Sequence, residues 1–222
     1  VAMDVDLTIS FLTFLSPFVP YQPDNTKEND PNGVTYDPHT GLYHRFYQYD
    51  PTYSETKNHG THTPRTWGQT VSRDLAKWED WPGIYADTPW DEHGVFSGNC
   101  VFNGTSKNPI CIYSNNPCNI GVCATSTDGW VTWTKRACMT HAPSPRSQVN
   151  HDTSIWRESD TGKWFLLIGG CTYNAPGSGR DPNIPSTGLT TCQGNAQLWT
   201  SPDLWNFTYV GALTPGGPGG YW

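Results

Sequence analysis

The sequence predicts an all-β fold of short antiparallel strands, and three observations support this. The 222 residues include 22 Gly, 19 Pro, 11 Trp and 11 Tyr, while only 15% are charged, a composition typical of turns and aromatic-rich strands. From Val34 onward, apolar and polar residues alternate with a period of two, for example over residues 42–49. A strand–turn–strand segment also recurs three times. The length is sufficient to bury a substantial core, as one large domain or two ordinary ones.

The first 28 residues are predicted to form an arm packed on the main body, which occupies residues 29–222. Residues 7–19 are apolar, but the run is too short to span a bilayer and Pro17 interrupts it. Asp4 and Asp6 stand where a signal peptide carries basic residues. We therefore expect no membrane partner.

The charge of the chain excludes one class of partner. A formal net charge of -7 and a pI near 5.3 argue against nucleic acid, because phosphate binding depends on clustered Lys and Arg. Neutral ligands fit this composition better.

The cysteines indicate an oxidising compartment. Seven are present, together with two glycosylation acceptor sequences, at residues 103–105 and 206–208, and this combination predicts a secreted or vacuolar protein. No Cys-x-x-Cys spacing occurs, so a structural zinc site is the weaker alternative, and neither a metal nor a cofactor is expected. Because seven is odd, one thiol is free or its disulfide partner lies elsewhere.

Turn clusters separate the strands that follow. Residues 37–41, Asp-Pro-His-Thr-Gly, connect the first two strands of a meander. Residues 53–65 form a polar loop of the kind that decorates a binding face. His59 and His62 lie in this loop, where a metal site is the alternative to a solvated loop.

The recurring segment predicts radially repeated sheets. Residues 71–78, 125–133 and 200–207 each contain a Ser-x-Asp turn followed by an aromatic residue that opens the next strand. One hairpin repeated at irregular intervals is typical of a β-propeller, in which every blade ends with a similar outer hairpin. Three blades do not close a ring, since propellers have about four to eight. We therefore expect a second chain, or a continuation beyond Trp222, to complete the propeller and cover its strand edges.

Residues 29–33, Asn-Asp-Pro-Asn-Gly, precede the first strand and hold a carboxylate between turn residues. Pro31 restricts φ and Gly33 permits backbone conformations that other residues do not tolerate. Asp30 is therefore held in a rigid loop at a strand entrance, either as a turn cap or as a catalytic group.

Four segments, taken in their order along the chain, resemble glycoside hydrolase family 32, the invertases, fructan hydrolases and fructosyltransferases. They are residues 29–33, 46–51 (Phe-Tyr-Gln-Tyr-Asp-Pro), 67–75 (Trp-Gly-Gln-Thr-Val-Ser-Arg-Asp-Leu) and 96–98 (Phe-Ser-Gly). The resemblance covers about residues 29–213. It implies a five-bladed β-propeller, of which this chain supplies about the first three blades. It also implies retaining hydrolysis of terminal β-fructofuranosyl bonds in sucrose or fructans, with transfer to another sugar as the same chemistry with a different acceptor.

Retaining hydrolysis needs two carboxyl groups about 5 to 5.5 Å apart, a nucleophile and an acid/base. The resemblance makes Asp30 the nucleophile at the start of blade one. Asn29 and Gln48 then bind the fructosyl unit or orient the carboxylate, and Phe96 and Ser97 line the same pocket at the start of blade two.

A third carboxylate, which stabilises the transition state, is expected from blade three, where the family carries Arg-Asp-Pro. Two positions qualify. Residues 180–182 match these letters, but they lie in a Gly/Pro/Ser-rich stretch after the strand that begins at Trp164. Asp152 instead precedes a strand, a turn and a second strand in the family's order, so we favour it over Asp181. His151 then replaces the Arg of the motif and is expected beside the substrate.

The chain departs from the family pattern in three places. Lys27 and Glu28 replace a Trp-Met pair. An insertion separates Pro51 from Trp67, which is the candidate for a substrate-packing Trp. The family's acid/base Glu, in a Glu-Cys motif that opens blade four, has no counterpart and is expected beyond Trp222.

Two other functions remain open from the sequence. A catalytically silent propeller that binds carbohydrate would keep the aromatic residues and lose the acid, and a disulfide-linked interaction domain would carry the motifs by chance. Trp90 stands just before Phe96 and is expected near the mouth of the site. The other tryptophans are expected to pack between blades, namely Trp78, Trp81, Trp133, Trp156 and Trp164.

Overall fold

The computed structural model describes residues 27–50, 64–103, 106–115, 120–139, 147–173 and 192–213, and every regular element among them is a β-strand. The twelve strands are β1 (Lys27–Asp37), β2 (Leu42–Asp50), β3 (Thr66–Ser72), β4 (Glu79–Ile84), β5 (Gly98–Phe102), β6 (Pro109–Asn115), β7 (Ile120–Thr125), β8 (Thr134–Met139), β9 (Ser147–Arg157), β10 (Trp164–Tyr173), β11 (Cys192–Ser201) and β12 (Thr208–Ala212). No helix long and apolar enough to cross a membrane occurs in these ranges. The predicted arm lies outside them, except that β1 already begins at Lys27, two residues before the predicted boundary.

The strands form three four-stranded antiparallel sheets, called blades 1, 2 and 3, with the orders β1–β4, β5–β8 and β9–β12. The first strands of successive blades contact one another, β1 against β5 and β5 against β9. Thr153 Oγ1 in β9 donates a hydrogen bond to the carbonyl oxygen of Ile112 in β6 (3.1 Å). The all-β fold is confirmed, and the three sheets are consistent with the predicted blades. The first strands of the blades, called their inner strands, lie next to one another in chain order.

An aromatic cluster joins blades 1 and 2. Phe46 and Trp67 of blade 1 are fully buried against Tyr113 and Trp130 of blade 2, and burial of such side chains contributes about 2 kcal/mol each. Trp130 Nε1 donates a hydrogen bond to Asp37 Oδ2 across the junction (3.0 Å).

Blades 2 and 3 share an apolar interface, formed by Ile110, Ile112, Met139, Trp164, Leu166, Ile168, Trp199 and Leu204. Two disulfides lie within blade 2, one between Cys100 and Cys111 on paired strands and one between Cys123 and Cys138. These bonds agree with the oxidising compartment that the sequence predicted. Trp156 lies on the opposite face of blade 3, stacked on Phe165, and is 43% exposed, so its packing between blades stays a prediction.

The three Ser-x-Asp turns connect the two outer strands of each blade and share one geometry. In each turn the Ser hydroxyl oxygen accepts a backbone N–H, from Leu75 (2.8 Å), Trp130 (2.9 Å) or Leu204 (2.9 Å). These three residues adopt positive φ values, 61°, 73° and 67°. Trp130 packs into the face of blade 1 and Leu204 into the face of blade 2, whereas Leu75 is 38% exposed. The turns of blades 2 and 3 therefore each pack one apolar side chain, Trp130 or Leu204, into the face of the preceding blade.

His44 is buried at the junction of blades 1 and 2. Its ring stacks on Trp130 at 3.8 Å, and Nδ1–H donates to Gln69 Oε1 (2.9 Å). Burial, opposed by the nearby charge of Asp37, lowers the pKa of His44 from 6.5 to about 4. The folded protein thus keeps this imidazole neutral over a pH range in which an unfolded chain protonates it.

We expect this histidine to make the fold acid-sensitive. Between pH 6.5 and about 4, the unfolded state binds the extra proton, so the free energy of unfolding should fall by up to about 3 kcal/mol as the pH drops. Denaturant titrations at several pH values measure this. His44→Phe retains a ring that stacks on Trp130 and should lose that part of the pH dependence. An unchanged pH slope in the variant would contradict the assignment.

Candidate active site

The start of β1 carries two consecutive irregularities. Its pairing with β2 shifts between Glu28 and Pro31 and again between Asn32 and Thr35, so Asp30 lies in a β-bulge. Bulges re-aim side chains and occur frequently beside active sites. Asp30 is exposed at this point, whereas Asn32 is 4% exposed.

Asn32 ties this bulge to blade 2. Its Nδ2 donates to the Asp30 carbonyl oxygen (2.9 Å) and its Oδ1 accepts the Gly98 N–H at the start of β5 (3.1 Å). The next residue, Gly33, adopts φ +54°, and a Cβ there would lie 2.9 Å from both Cys100 Sγ and the Phe46 ring. Glycine is therefore required both by the backbone conformation and by the contact between the two blades.

The Asp30 carboxylate lies at the centre of a hydrogen-bonded network. Oδ2 accepts from Ser97 Oγ (3.0 Å) and from Gln48 Nε2 (3.2 Å), and the same Gln48 group donates to Ser97 Oγ (2.8 Å). Arg65 Nη1 donates to Gln48 Oε1 (2.8 Å), which orients the amide so that its N–H₂ faces the carboxylate. Gln48 is 2% exposed, so its hydrogen bonds are little weakened by solvent.

The segment that carries Ser97 is fixed by backbone hydrogen bonds. Val95 N–H donates to the Arg65 carbonyl (2.8 Å) and Phe96 N–H to the Ser114 carbonyl (3.1 Å). Trp67 Nε1 donates to the Phe96 carbonyl (3.0 Å). The Arg65 guanidinium lies 5.9 Å from the centroid of the partly exposed Phe96 ring.

The structure contradicts the predicted role of Trp67. Its side chain has no exposed surface, so the prediction that it packs against a substrate is wrong for this structure. The indole instead supports the Phe96–Ser97 segment from behind. The sequence did not predict this supporting role, because an alternating strand shows the same pattern whether the face that carries its Trp is buried or open.

A buried ion pair anchors the loop between β4 and β5, residues 85–97. Asp91 is fully buried; its carboxylate accepts from Thr88 N–H (2.9 Å) and Tyr113 OH (2.8 Å) and pairs with Lys135 Nζ (2.8 Å). Lys135 also bonds the Tyr85 carbonyl oxygen. Burial, together with the charge of Asp91, raises the pKa of Tyr113, so it stays a neutral donor. The loop is therefore held at a fixed position against blade 2.

Asp152 lies at an irregularity of β9 like that of Asp30 in β1. The β9–β10 register passes from Thr153 opposite Ile168 to His151 opposite Gly169, which leaves Asp152 as the extra residue of a bulge. It adopts φ 53° and its side chain is exposed. Non-glycine residues at positive φ are uncommon, and strained residues concentrate at functional sites.

Other predicted site residues lie partly or wholly outside the described side chains. Asn29 and His151 are described for the backbone only, and Asp181, His59 and His62 lie outside the described ranges. No group of three or more His, Cys, Asp or Glu side chains suited to a metal ion occurs in the part of the chain that the structure describes. Two glutamates make local contacts, Glu92 with His93 (3.7 Å) and Glu158 with Thr161 Oγ1 (2.5 Å).

The structure thus brings Asp30, Gln48 and Ser97 together and adds Arg65, which the sequence motifs did not identify. A carboxylate held by neutral donors on Oδ2 retains its other oxygen for chemistry. Among the described residues, no hydrogen bond to Asp30 Oδ1 occurs. This geometry suits a nucleophile of fixed orientation.

Comparison with known proteins supports this interpretation. A family model described as the glycosyl hydrolases family 32 N-terminal domain matches residues 21–177. An extracellular exo-inulinase from Meyerozyma guilliermondii is 30% identical over 186 residues, covering 73% of this chain and 34% of the relative. A levanase from Bacillus subtilis is 31% identical over 161 residues, covering 67% of this chain and 22% of the relative. The chain therefore spans about a third or less of the length of these curated relatives.

Among solved structures, a β-fructofuranosidase from Schwanniomyces occidentalis in complex with fructosyl-erythritol has a TM-score of 0.60 at 23% identity. The match covers 88% of this chain and 36% of that chain. At this identity the likeness concerns the fold. It agrees with the three blades described above.

The bulge at β1 generates a stability prediction with an internal control. Gly33→Ala should lower the free energy of unfolding by about 3 kcal/mol, since the Cβ meets Cys100 and Phe46 and the backbone is left-handed. Gly41 has φ +70°, and no atom lies within 4 Å of the point that a Cβ would occupy there, so Gly41→Ala should cost only about 1 kcal/mol. Denaturant unfolding of the two variants measures the difference. Equal losses would show that the β1–β5 contact has room for a methyl group.

Proposed function

The chain belongs to glycoside hydrolase family 32, and on that premise we propose that the whole protein cleaves terminal β-fructofuranosyl bonds of sucrose or fructans with retention of configuration. The observation that carries the proposal is the fixed carboxylate of Asp30 at the start of the inner strand of blade 1, hydrogen-bonded to Gln48 and Ser97.

In the proposed reaction, Asp30 attacks the anomeric carbon of the fructosyl unit and forms an ester as the bond to the leaving oxygen breaks. A separate acid, contributed from outside the described residues, protonates that oxygen. Water then attacks the same carbon, gives its proton to the conjugate base of that acid, and releases fructose and the free Asp30 carboxylate. Transfer replaces water by the hydroxyl of another sugar. Neither path uses a cofactor.

Each neighbour of Asp30 has a role in this scheme. Ser97 and Gln48 hold Oδ2 in one position, so that the other oxygen faces the substrate. Arg65 fixes the Gln48 amide. We propose that Asp152, presented by a bulge on the inner strand of blade 3, accepts hydrogen bonds from sugar hydroxyls and stabilises positive charge at the anomeric carbon. Asn29 and His151 are proposed to contact the same sugar.

We also propose that further blades complete the ring, from a continuation of the chain or a second chain. The Ser-x-Asp turns support this. Trp130 and Leu204 each pack into the face of the preceding blade, whereas Leu75, which has the same backbone geometry, is exposed. Val34 and Tyr36 of β1 and Trp156 of β9 add exposed apolar surface to blades 1 and 3. A surface of this kind usually marks an interface.

Secretion is proposed on two grounds. One relative is an extracellular exo-inulinase, and blade 2 contains two disulfides, which persist in oxidising compartments. Asn206, within one glycosylation acceptor sequence, is exposed in the turn before β12.

The catalytic assignment is tested by fructose release from sucrose and inulin, using the full-length protein. Asp30→Asn should lower kcat at least about 10⁴-fold, because the amide is a poor nucleophile. Asp152→Asn should lower kcat by about 10²- to 10³-fold. Asp181→Asn is the matched control and should leave kcat within a few-fold.

The same assay separates the alternatives. Ordinary turnover by Asp30→Asn would contradict the nucleophile assignment, and a larger loss for Asp181→Asn than for Asp152→Asn would exchange the roles of those two residues. Sucrose binding without turnover in the unsubstituted protein would support a silent carbohydrate-binding propeller instead.

Ring completion predicts that Leu75 is buried in the full-length protein. Leu75→Asp should lower the free energy of unfolding by about 2 to 3 kcal/mol, since the carboxylate would enter an apolar face, while Asp itself tolerates positive φ. Val131, which is 43% exposed and adjacent to Trp130, provides the control, and Val131→Asp should change stability by less than about 0.5 kcal/mol. Similar effects for the two variants would contradict this packing.

A further inference from the structure

Trp90 lies in the middle of the 85–97 loop and has no role in the scheme above. Its side chain is 42% exposed, although a large aromatic surface is costly to leave in water. Its position in the loop is close in sequence to Ser97, which contacts the proposed nucleophile.

The backbone of Trp90 is anchored on both sides. Its carbonyl oxygen accepts from Asn115 Nδ2 (2.5 Å), a side chain that is 1% exposed at the end of β6. The next residue, Asp91, is held by the buried contacts with Tyr113 and Lys135. The indole is therefore exposed on a backbone that is already ordered.

The anchors also locate Trp90 relative to Asp30. Phe96 N–H bonds the carbonyl of Ser114, and Trp90 bonds the side chain of Asn115, so both ends of this loop segment attach to consecutive residues at one end of β6. Ser97 follows Phe96 and donates to Asp30. Trp90 thus belongs to the loop that supplies a direct contact to the carboxylate, and it is attached to β6 at the residue next to the one that anchors Phe96.

We infer that Trp90 is the platform for the sugar unit bonded to the fructosyl group, which is the leaving group in hydrolysis and the acceptor in transfer. This inference rests on the proposed function. A pyranose or furanose ring has an apolar C–H face that packs on an indole. Because the backbone is fixed beforehand, little ordering of the backbone opposes the contact. The fructosyl unit is held by the polar network around Asp30, so the platform discriminates among leaving groups and acceptors.

The test compares substrates that share the fructosyl unit and differ in the group bonded to it. For the full-length protein, Trp90→Ala should raise KM for sucrose about five- to tenfold. It should leave KM for methyl β-fructofuranoside, which has no second ring, within about twofold. Trp90→Phe retains an aromatic face and should recover most of the sucrose affinity, and circular dichroism of both variants checks that they fold.

Binding gives a second readout that does not depend on turnover. In the Asp30→Asn background, titration calorimetry should show weaker sucrose binding on Trp90→Ala and unchanged fructose binding. Equal changes in KM for sucrose and the methyl fructoside, or no change for either, would overturn the platform. Failure of the proposed function is a separate result, since the unsubstituted protein would then release no fructose from any of these substrates.

Discussion

The contact between the first inner strands of blades 1 and 2 is the constraint on which the site depends. Asn32 donates to the Asp30 carbonyl and accepts the Gly98 N–H, and Gly33 allows Cys100 and Phe46 to approach where any Cβ would collide. Asp30 and Ser97 belong to different sheets, so their hydrogen bond exists only while this contact holds the sheets in register. The position of the proposed nucleophile is thus a property of blade packing, and the bulge alone would not produce it.

Packing behind the site follows the same logic. Trp67, fully buried, bonds the Phe96 carbonyl, and the Asp91–Lys135 pair holds the other end of the loop. Desolvating two charges is expensive, and in some proteins a buried ion pair specifies one conformation. Here it fixes the loop that presents Ser97 and Trp90. The buried side chains of Trp130 and Leu204 pack between successive blades and stabilise their contact.

Much of this arrangement could be predicted from the sequence, and the reasons are local. The Ser-x-Asp turns were recognisable because the Ser hydroxyl and the Asp carboxylate accept hydrogen bonds from neighbouring backbone N–H groups. Such local hydrogen bonds require a fixed spacing between the Ser and the Asp. The residues that meet at Asp30 were identified through family motifs. By contrast, the pairing of Lys135 with Asp91 and the orientation of Gln48 by Arg65 join distant positions, and no spacing rule encodes them. Trp67 was misassigned because alternation reveals that a strand has two faces without revealing which face is covered.

The central claim is that Asp30 forms the covalent bond to the fructosyl unit. Rapid acid quenching of the full-length protein during sucrose turnover, followed by proteolysis and mass spectrometry, tests it most directly. The account predicts a fructosyl ester on the peptide that contains Asp30, present during turnover and absent after the substrate is exhausted. An ester on the peptide that contains Asp152, or sustained turnover with inverted configuration of the first product, would contradict it.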